Sequence, residues 1–367
     1  MPQPAHLLVS VSAHGYGHAA QVLPVIELLR QRNPALRISL RTALPRRLLE
    51  ARLSGNWEYL PEASDFGMIM RSAVEVRVEE SAAAYRTFHR DWDRKVADEA
   101  QRLRALAPDL VLADVPYLPI AGAATAGIPA VALCCLNWAD IYQHYCGARP
   151  EAPQIVRQML AAYNSAAAFL QIEPSMPMPG IHNGRPTGVI AQRGISRRAE
   201  IGSRLQLRQD ERLVIVTAGG IPLPIDLDCW PHLPKVRWVT DQDTARHRRD
   251  FVGINALGVS FPDLLCSCDA LVTKPGYGIF AEAACNGIPV LYIRRPGWPE
   301  EPFLVRWLQE HACCAEISRT QLERGDIGDA LTALWSTARS SPTVPHGIEQ
   351  VVGHLARWLA GTHEART

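Results

Sequence analysis

Lysine is scarce in this chain of 367 residues: Lys95, Lys235 and Lys274 are the only ones among 38 basic residues. Arginine supplies the rest, which reads as a compositional habit of the source and makes a lysine at a motif position more telling than usual. An excess of charge is missing too. Lys+Arg at 38 against Asp+Glu at 37 leaves +1, so there is no global electrostatic case for nucleic acid as a partner. The nine cysteines include Cys134-Cys135, Cys266-x-Cys268 and Cys313-Cys314 but no CxxC pair. Neither a zinc finger nor a secreted disulfide framework is expected, and the thiols are read as reduced. The start, Met-Pro-Gln-Pro, runs directly into apolar residues without a basic leader, which gives a cytoplasmic expectation. A long apolar helix is also lacking. Residues 115–139 carry no charge, but Pro116, Pro119, Pro129, Gly122 and Gly127 divide them into a loop, a short helix and a strand.

What is present is an alternation of apolar runs and helical spacings. Residues 6–12 read as a strand, a Gly-rich turn follows, and Val22, Val25, Ile26 and Leu29 place a helix over 19–31. Further strands are expected at 36–42, 109–113, 129–133 and 168–172, with helices at 45–53, 117–126 and 151–166 and one long charged helix over 79–106. Residues 173–194 carry four Pro and two Gly before residue 187 and are read as an interdomain linker. The alternation restarts with strands at 212–217, 235–240, 251–254, 269–273 and 289–293 and helices at 277–286 and 302–311. The expected class is α/β, with domains over 1–180 and 195–344 and an amphipathic segment, 345–367, that returns to the first domain. Two doubly wound parallel sheets facing one another would put a ligand cleft at their carboxyl ends.

Three stretches carry chemistry. The first turn, Ala13-His14-Gly15-Tyr16-Gly17-His18-Ala19-Ala20, lets a ligand approach a helix N-terminus through Gly15 and Gly17, and it holds two imidazoles suited to proton transfer. Asp114 ends a strand at the same predicted edge, where a carboxylate orients and charge-stabilises an imidazole; capping the next helix is its plainer role. The third stretch runs Asp269-Ala-Leu-Val-Thr273-Lys274-Pro-Gly276-Tyr277-Gly278 and reaches Glu282 on the following helix. Its loop amides can cradle a diphosphate, Lys274 adds a cation, and Glu282 can accept from ribose hydroxyls. Gly219-Gly220 and Arg294-Arg295 lie at the same sheet edge, and Glu300-Glu301 offer carboxylates to sugar hydroxyls or simply start a helix. Gly15, Gly17 and Ala20 also match a dinucleotide spacing, and with Arg41 they allow an NADP-dependent oxidoreductase as a rival. A binding protein without turnover is the other rival. Asp91-x-Asp93, Asp226-x-Asp228 and Asp241-x-Asp243 look like metal-binding pairs and are read as chance.

With these residues in view the chain resembles the glycosyltransferases of the GT-B fold, built from two Rossmann-like domains. It is similar to the nucleotide-sugar transferases related to the peptidoglycan N-acetylglucosaminyltransferase, and to the transferase-like N-terminal region of plant L-arabinokinase. GHA-x-Q-x-x-P-x-I from Gly17, PDLVLADV from Pro108, the Asp269 to Ala283 stretch and RR-x3-P-E-E-P-F-L from Arg294 carry the likeness. It implies an inverting transfer from a nucleotide-diphosphate sugar, UDP-linked, to a hydroxyl acceptor of unknown identity. His18 would be the base and Asp114 its partner, with His14 as the competing choice. Thr273 to Gly278 would face the diphosphate, Glu282 the ribose, and Glu300 or Glu301 the sugar. No metal and no further cofactor is implied, arabinokinase activity is not implied, and peripheral contact with a membrane is allowed.

Overall fold

The computed structural model describes residues 4–241, 248–338 and 340–364. The chain divides into two compact units: residues 1–71, 76–190 and 346–367 form the first, and 72–75 with 191–345 the second.

The chain up to residue 190 carries strands β1 (His6–Val11), β2 (Arg37–Arg41), β3 (Glu58–Leu60), the short β4 (Met70–Ser72) and β5 (Glu75–Val76), whose residues Ser72 and Glu75 belong to the second unit, then β6 (Leu110–Asp114), β7 (Ala130–Cys134), β8 (Ala168–Ile172) and β9 (Gly184–Thr187). Seven of them form one sheet in the order β3-β2-β1-β6-β7-β8-β9, with all neighbours parallel, while β4 and β5 pair with each other. All six residues of β1 are buried, as expected of a parallel strand covered by helices on both faces. The covering helices are α1 (Gly17–Arg32), α2 (Arg46–Glu50), α3 (Val78–His89), α4 (Trp92–Leu106), α5 (Leu118–Ala126), α6 (Trp138–Cys146) and α7 (Ala152–Asn164). Val22, Val25, Ile26 and Leu29, the residues whose spacing predicts α1, are all in the core.

The structure departs from the sequence reading in this unit: α6 and the edge strand β3 have no counterpart in it, and two expected features differ. The single helix expected over 79–106 is two, because the backbone leaves helical geometry at Asp91 (φ −114°, ψ 45°). The expected linker contains β9, the edge strand of the sheet, in which Pro186 is tolerated.

The second unit has a six-stranded sheet: β10 (Arg212–Val216), β11 (Val236–Thr240), β12 (Phe251–Gly253), β13 (Ala270–Thr273), β14 (Val290–Tyr292) and β15 (Cys314–Glu316), in the order β12-β11-β10-β13-β14-β15 and parallel throughout. Its helices are α8 (Arg198–Leu205), α9 (Phe261–Cys266), α10 (Tyr277–Cys285), α11 (Glu301–His311), α12 (Arg319–Arg324) and α13 (Gly328–Ser336). Val214, Val216, Trp238, Val272 and Leu291 build its core, joined by Ala73 of the 72–75 segment, whose N–H donates to Pro222 O at 2.9 Å.

The last helix, α14 (Gly347–Glu364), belongs to the first unit. It buries Val351, Val352, Leu355 and Leu359, spaced as one helical face, and is tied by Arg32 to Glu349 at 2.5 Å and by Gly188 N–H to Gln350 Oε1 at 2.6 Å. No helix among the described residues is long and apolar enough to cross a membrane.

Candidate active site

Strand register assembles the site of the first unit. β1 lies between β2 and β6, and its last residue, Val11, is level with Asp114 at the end of β6. The chain turns immediately afterwards: Ser12 N–H donates to Asp114 O at 2.7 Å, Gly15 adopts φ +83°, and α1 begins at Gly17. The second residue of α1 is therefore His18, and its Nδ1 lies 2.9 Å from Asp114 Oδ1. Asp114 is fully buried and His18 is 5% exposed. Cys134, at the end of β7, brings its Sγ within 3.9 Å of the same Nδ1.

Burial works against a charge on His18, yet the Asp114 and Cys134 side chains beside Nδ1 hold its imidazolium well above the ordinary histidine range. Burial likewise lifts the Asp114 carboxyl, against the opposing pull of His18. The pair is a dry, hydrogen-bonded dyad that keeps a proton available at the ring. His18 Nδ1, Asp114 Oδ1 and Cys134 Sγ lie within 4.8 Å of one another, the one cluster of metal-ligand spacing among the described residues. Its closest pair has the separation of a hydrogen bond, shorter than the roughly 3.3–3.7 Å between two ligands on a tetrahedral zinc.

The His14 ring meets Trp138 edge-on, with centroids 5.1 Å apart, and Trp138 also lies 5.9 Å from the His18 ring. Trp138 Nε1–H donates to Asp65 at 2.6 Å. Neither Asp65 nor Trp138 carries a motif signal: one is in an irregular loop, the other opens α6, a helix absent from the sequence reading. Arg41 is also placed differently from its expected role. It is buried and spans Glu99 with Nη1 and Nη2 at 3.1 and 2.6 Å, so it is committed to the core and withheld from a cofactor phosphate.

In the second unit the carboxyl ends of β10, β13 and β14 bring together the remaining residues. Gly219 turns at φ +78° after β10, with its N–H on Thr217 Oγ1 at 3.1 Å, and Gly220 follows it. Thr273 is buried at the end of β13, and Gly276 precedes α10, whose first turn opens with Tyr277 and Gly278 and has no side-chain cap. Lys274 Nζ reaches back over this turn, where a Cβ on Gly276 would sit 3.1 Å from it. Burial and the Arg295 guanidinium pull the Lys274 ammonium down to about 7, with Glu300 opposing them. Arg295 stacks on Trp298 at 3.7 Å, and Trp298 Nε1–H donates to Glu300 at 3.0 Å.

Glu282 is 2% exposed on α10. Glu301 is paired with Arg294 through both carboxylate oxygens. The described members of the paired aspartates make local contacts. Asp226 accepts from Asp228 N–H at 3.1 Å, Asp241 accepts from Thr217 Oγ1 at 2.6 Å, and Asp91 and Asp93 begin α4; Asp243 lies outside the described residues.

No family model matches the sequence. L-arabinokinase of Arabidopsis thaliana is 26% identical over 322 residues, which are 86% of this chain and 30% of the plant protein. The chain thus spans less than a third of that relative's length. Among solved structures, the glycosyltransferase of kitacinnamycin aligns with TM-score 0.60 and 16% identity, over 98% of this chain and 96% of that one. Glycosyltransferase VinC, solved in complex with dTDP, gives 0.58 and 16% over 98% and 100%. A UDP-glucosyltransferase of Polygonum tinctorium, in complex with 3,4-dichloroaniline, gives 0.57 and 13% over 97% and 99%. The fold is that of the GT-B glycosyltransferases. At these identities the likeness is one of fold, and the chemistry has to be argued from the residues.

Proposed function

We propose that the chain is an inverting, metal-independent glycosyltransferase that moves a hexosyl or N-acetylhexosaminyl unit from a UDP-linked donor to a hydroxyl acceptor. The observation that carries this reading is the buried His18–Asp114 dyad at the carboxyl edge of the first GT-B sheet. Asp114 accepts a hydrogen bond from the Nδ1–H, which leaves Nε2 as the acceptor of a proton. As the acceptor oxygen bonds to the anomeric carbon, its proton passes to Nε2 and the bond from that carbon to the diphosphate oxygen breaks. The imidazolium so formed is stabilised by Asp114. Asp114 is thus the orienting partner, as in other nucleophile-activating dyads.

The second unit holds the donor. Gly276 and the N-terminus of α10 face the leaving diphosphate, Lys274 and Arg295 add cations, and Gly219-Gly220 allow close approach of a phosphate. Glu282 is the residue for the ribose and Glu300 for the sugar. The dTDP in the VinC structure and the UDP-glucosyl activity named for the Polygonum protein support a pyrimidine nucleotide as the carrier. An oxidoreductase reading has lost Arg41 to the core.

A thermal-unfolding panel of UDP, dTDP, GDP and NADP tests the donor half. UDP or dTDP at about a hundred times its Kd is expected to stabilise the folded chain by about 2.7 kcal/mol, with the effect lost in Glu282→Ala. Stabilisation by NADP alone would overturn the reading.

A further inference from the structure

A second buried carboxylate belongs to the dyad's surroundings. Asp65 sits in the loop between β3 and β4, is 8% exposed, and accepts the indole N–H of Trp138 at 2.6 Å. Trp138 is fully buried and held a second time through its backbone N–H, which donates to Tyr163 OH at 3.3 Å. Its indole packs against both imidazoles of the first turn. Two residues after Asp65, Gly67 adopts φ +58°, and a Cβ there would lie 2.7 Å from His14 Cδ2 and 2.8 Å from Trp138 Cη2. The loop over 65–67, the indole and the two histidines are therefore packed as one body, without room for a methyl group.

We propose that Asp65 is a positioning residue of this site: through Trp138 it fixes both imidazoles, and together with Asp114 it sets the charge that faces His18. The catalytic consequence rests on His18 being the base, whereas the coupling between Asp65, Trp138 and His18 does not. The groups facing His18 are Asp114 from β6, Cys134 from β7 and Asp65 from its loop. Those facing Asp65, besides His18 and Asp114, are the Ser12 hydroxyl and the phenols of Tyr85, Tyr117 and Tyr163. Burial pushes all three phenols well above their ordinary range, so they keep their protons near neutrality and contribute no change of charge. Burial also pushes Asp65 up to about 6, against His18, Trp138 and Ser12, so its charge does change near neutrality. An ionised Asp65 favours the His18 imidazolium.

The test uses the full chain without ligand, labelled with 15N at tryptophan and histidine. The Trp138 indole resonance, assigned by its loss in Trp138→Phe, is expected to titrate with a midpoint near 6 and to stop titrating in Asp65→Asn. The same variant is expected to lower the His18 midpoint by about half a pH unit or more. In turnover, kcat is expected to fall about tenfold with the donor KM held within about twofold, the acid limb moving with the His18 midpoint. Should Asp65→Asn fail to fold, the wild-type indole titration and a lowered His18 midpoint in Trp138→Phe, which leaves Asp65 without its donor and protonated, read the same coupling. An indole that does not titrate, or one that still titrates in Asp65→Asn, overturns the proposal, as does an unmoved His18 midpoint. Both resonance shifts without any sugar transfer would support the coupling and count against the transferase reading instead.

Discussion

At the scale of single residues, two buried titrations with opposite consequences govern the proposed reaction. His18 must be neutral to accept a proton, and its surroundings raise it above the ordinary histidine range. The chemical step therefore accelerates as pH rises through a midpoint above 6.5. Asp114→Asn removes the stabilising charge, which moves this limb to lower pH and cuts kcat by about 10²–10⁴. Lys274 must be charged to hold a diphosphate, and in the free protein it loses its proton as pH rises through about 7. Donor affinity is thus expected to weaken above that pH. Lys274→Met should weaken binding about tenfold or more at pH 6 and abolish the pH dependence, as donor titrations at several pH values will show. Both residues stand out in the sequence, the histidine beside a Gly-rich turn and the lysine as one of three. Asp65 and Trp138 do not, because a loop carboxylate and an indole at a helix start obey no spacing rule. Only the folded chain brings residues 73 positions apart within 2.6 Å.

At the scale of elements, the first unit depends on a close crossing of α4 and α5 around a buried ion pair. Gly122 of α5 packs on α4, where a Cβ would lie 2.4 Å from Glu99 Cγ and 2.9 Å from its Cβ. Those atoms carry the carboxylate that holds Arg41. Gly122→Ala is expected to lower stability by about 1–3 kcal/mol through overpacking. Glu99→Ala, which leaves Arg41 buried and unpaired, should cost about 3–5 kcal/mol, and denaturant unfolding measures both. The strands and the helix α1 beside the site were legible because parallel strands buried on both faces read as apolar runs and α1 showed its buried stripe, whereas α6, which supplies Trp138, was not. The break at Asp91 was not, since Arg90-Asp91 contains neither Pro nor Gly. β9 was hidden by Gly184 and Pro186, which argue for a loop unless the strand lies at an edge.

At the scale of the whole molecule, each unit places its chemistry where a doubly wound sheet concentrates it, at the carboxyl ends beside the strand where the order reverses. In the first unit that strand is β1, whose neighbours are β2 and β6, and the dyad forms at its end. In the second it is β10, between β11 and β13, and the Gly219 and Lys274 turns follow it. This placement was readable from strand-turn-helix alternation alone, because register does the positioning. Which histidine meets Asp114 was not, since it depends on where α1 starts after the turn. The decisive measurement is release of nucleoside diphosphate from a panel of UDP- and dTDP-sugars, supplied with mixed hydroxyl acceptors, by the wild-type chain and by His18→Ala. Release by the wild type that falls at least about a hundredfold in His18→Ala is the predicted result. Release that His18→Ala leaves unchanged, or no release from any donor the chain binds, would contradict the account.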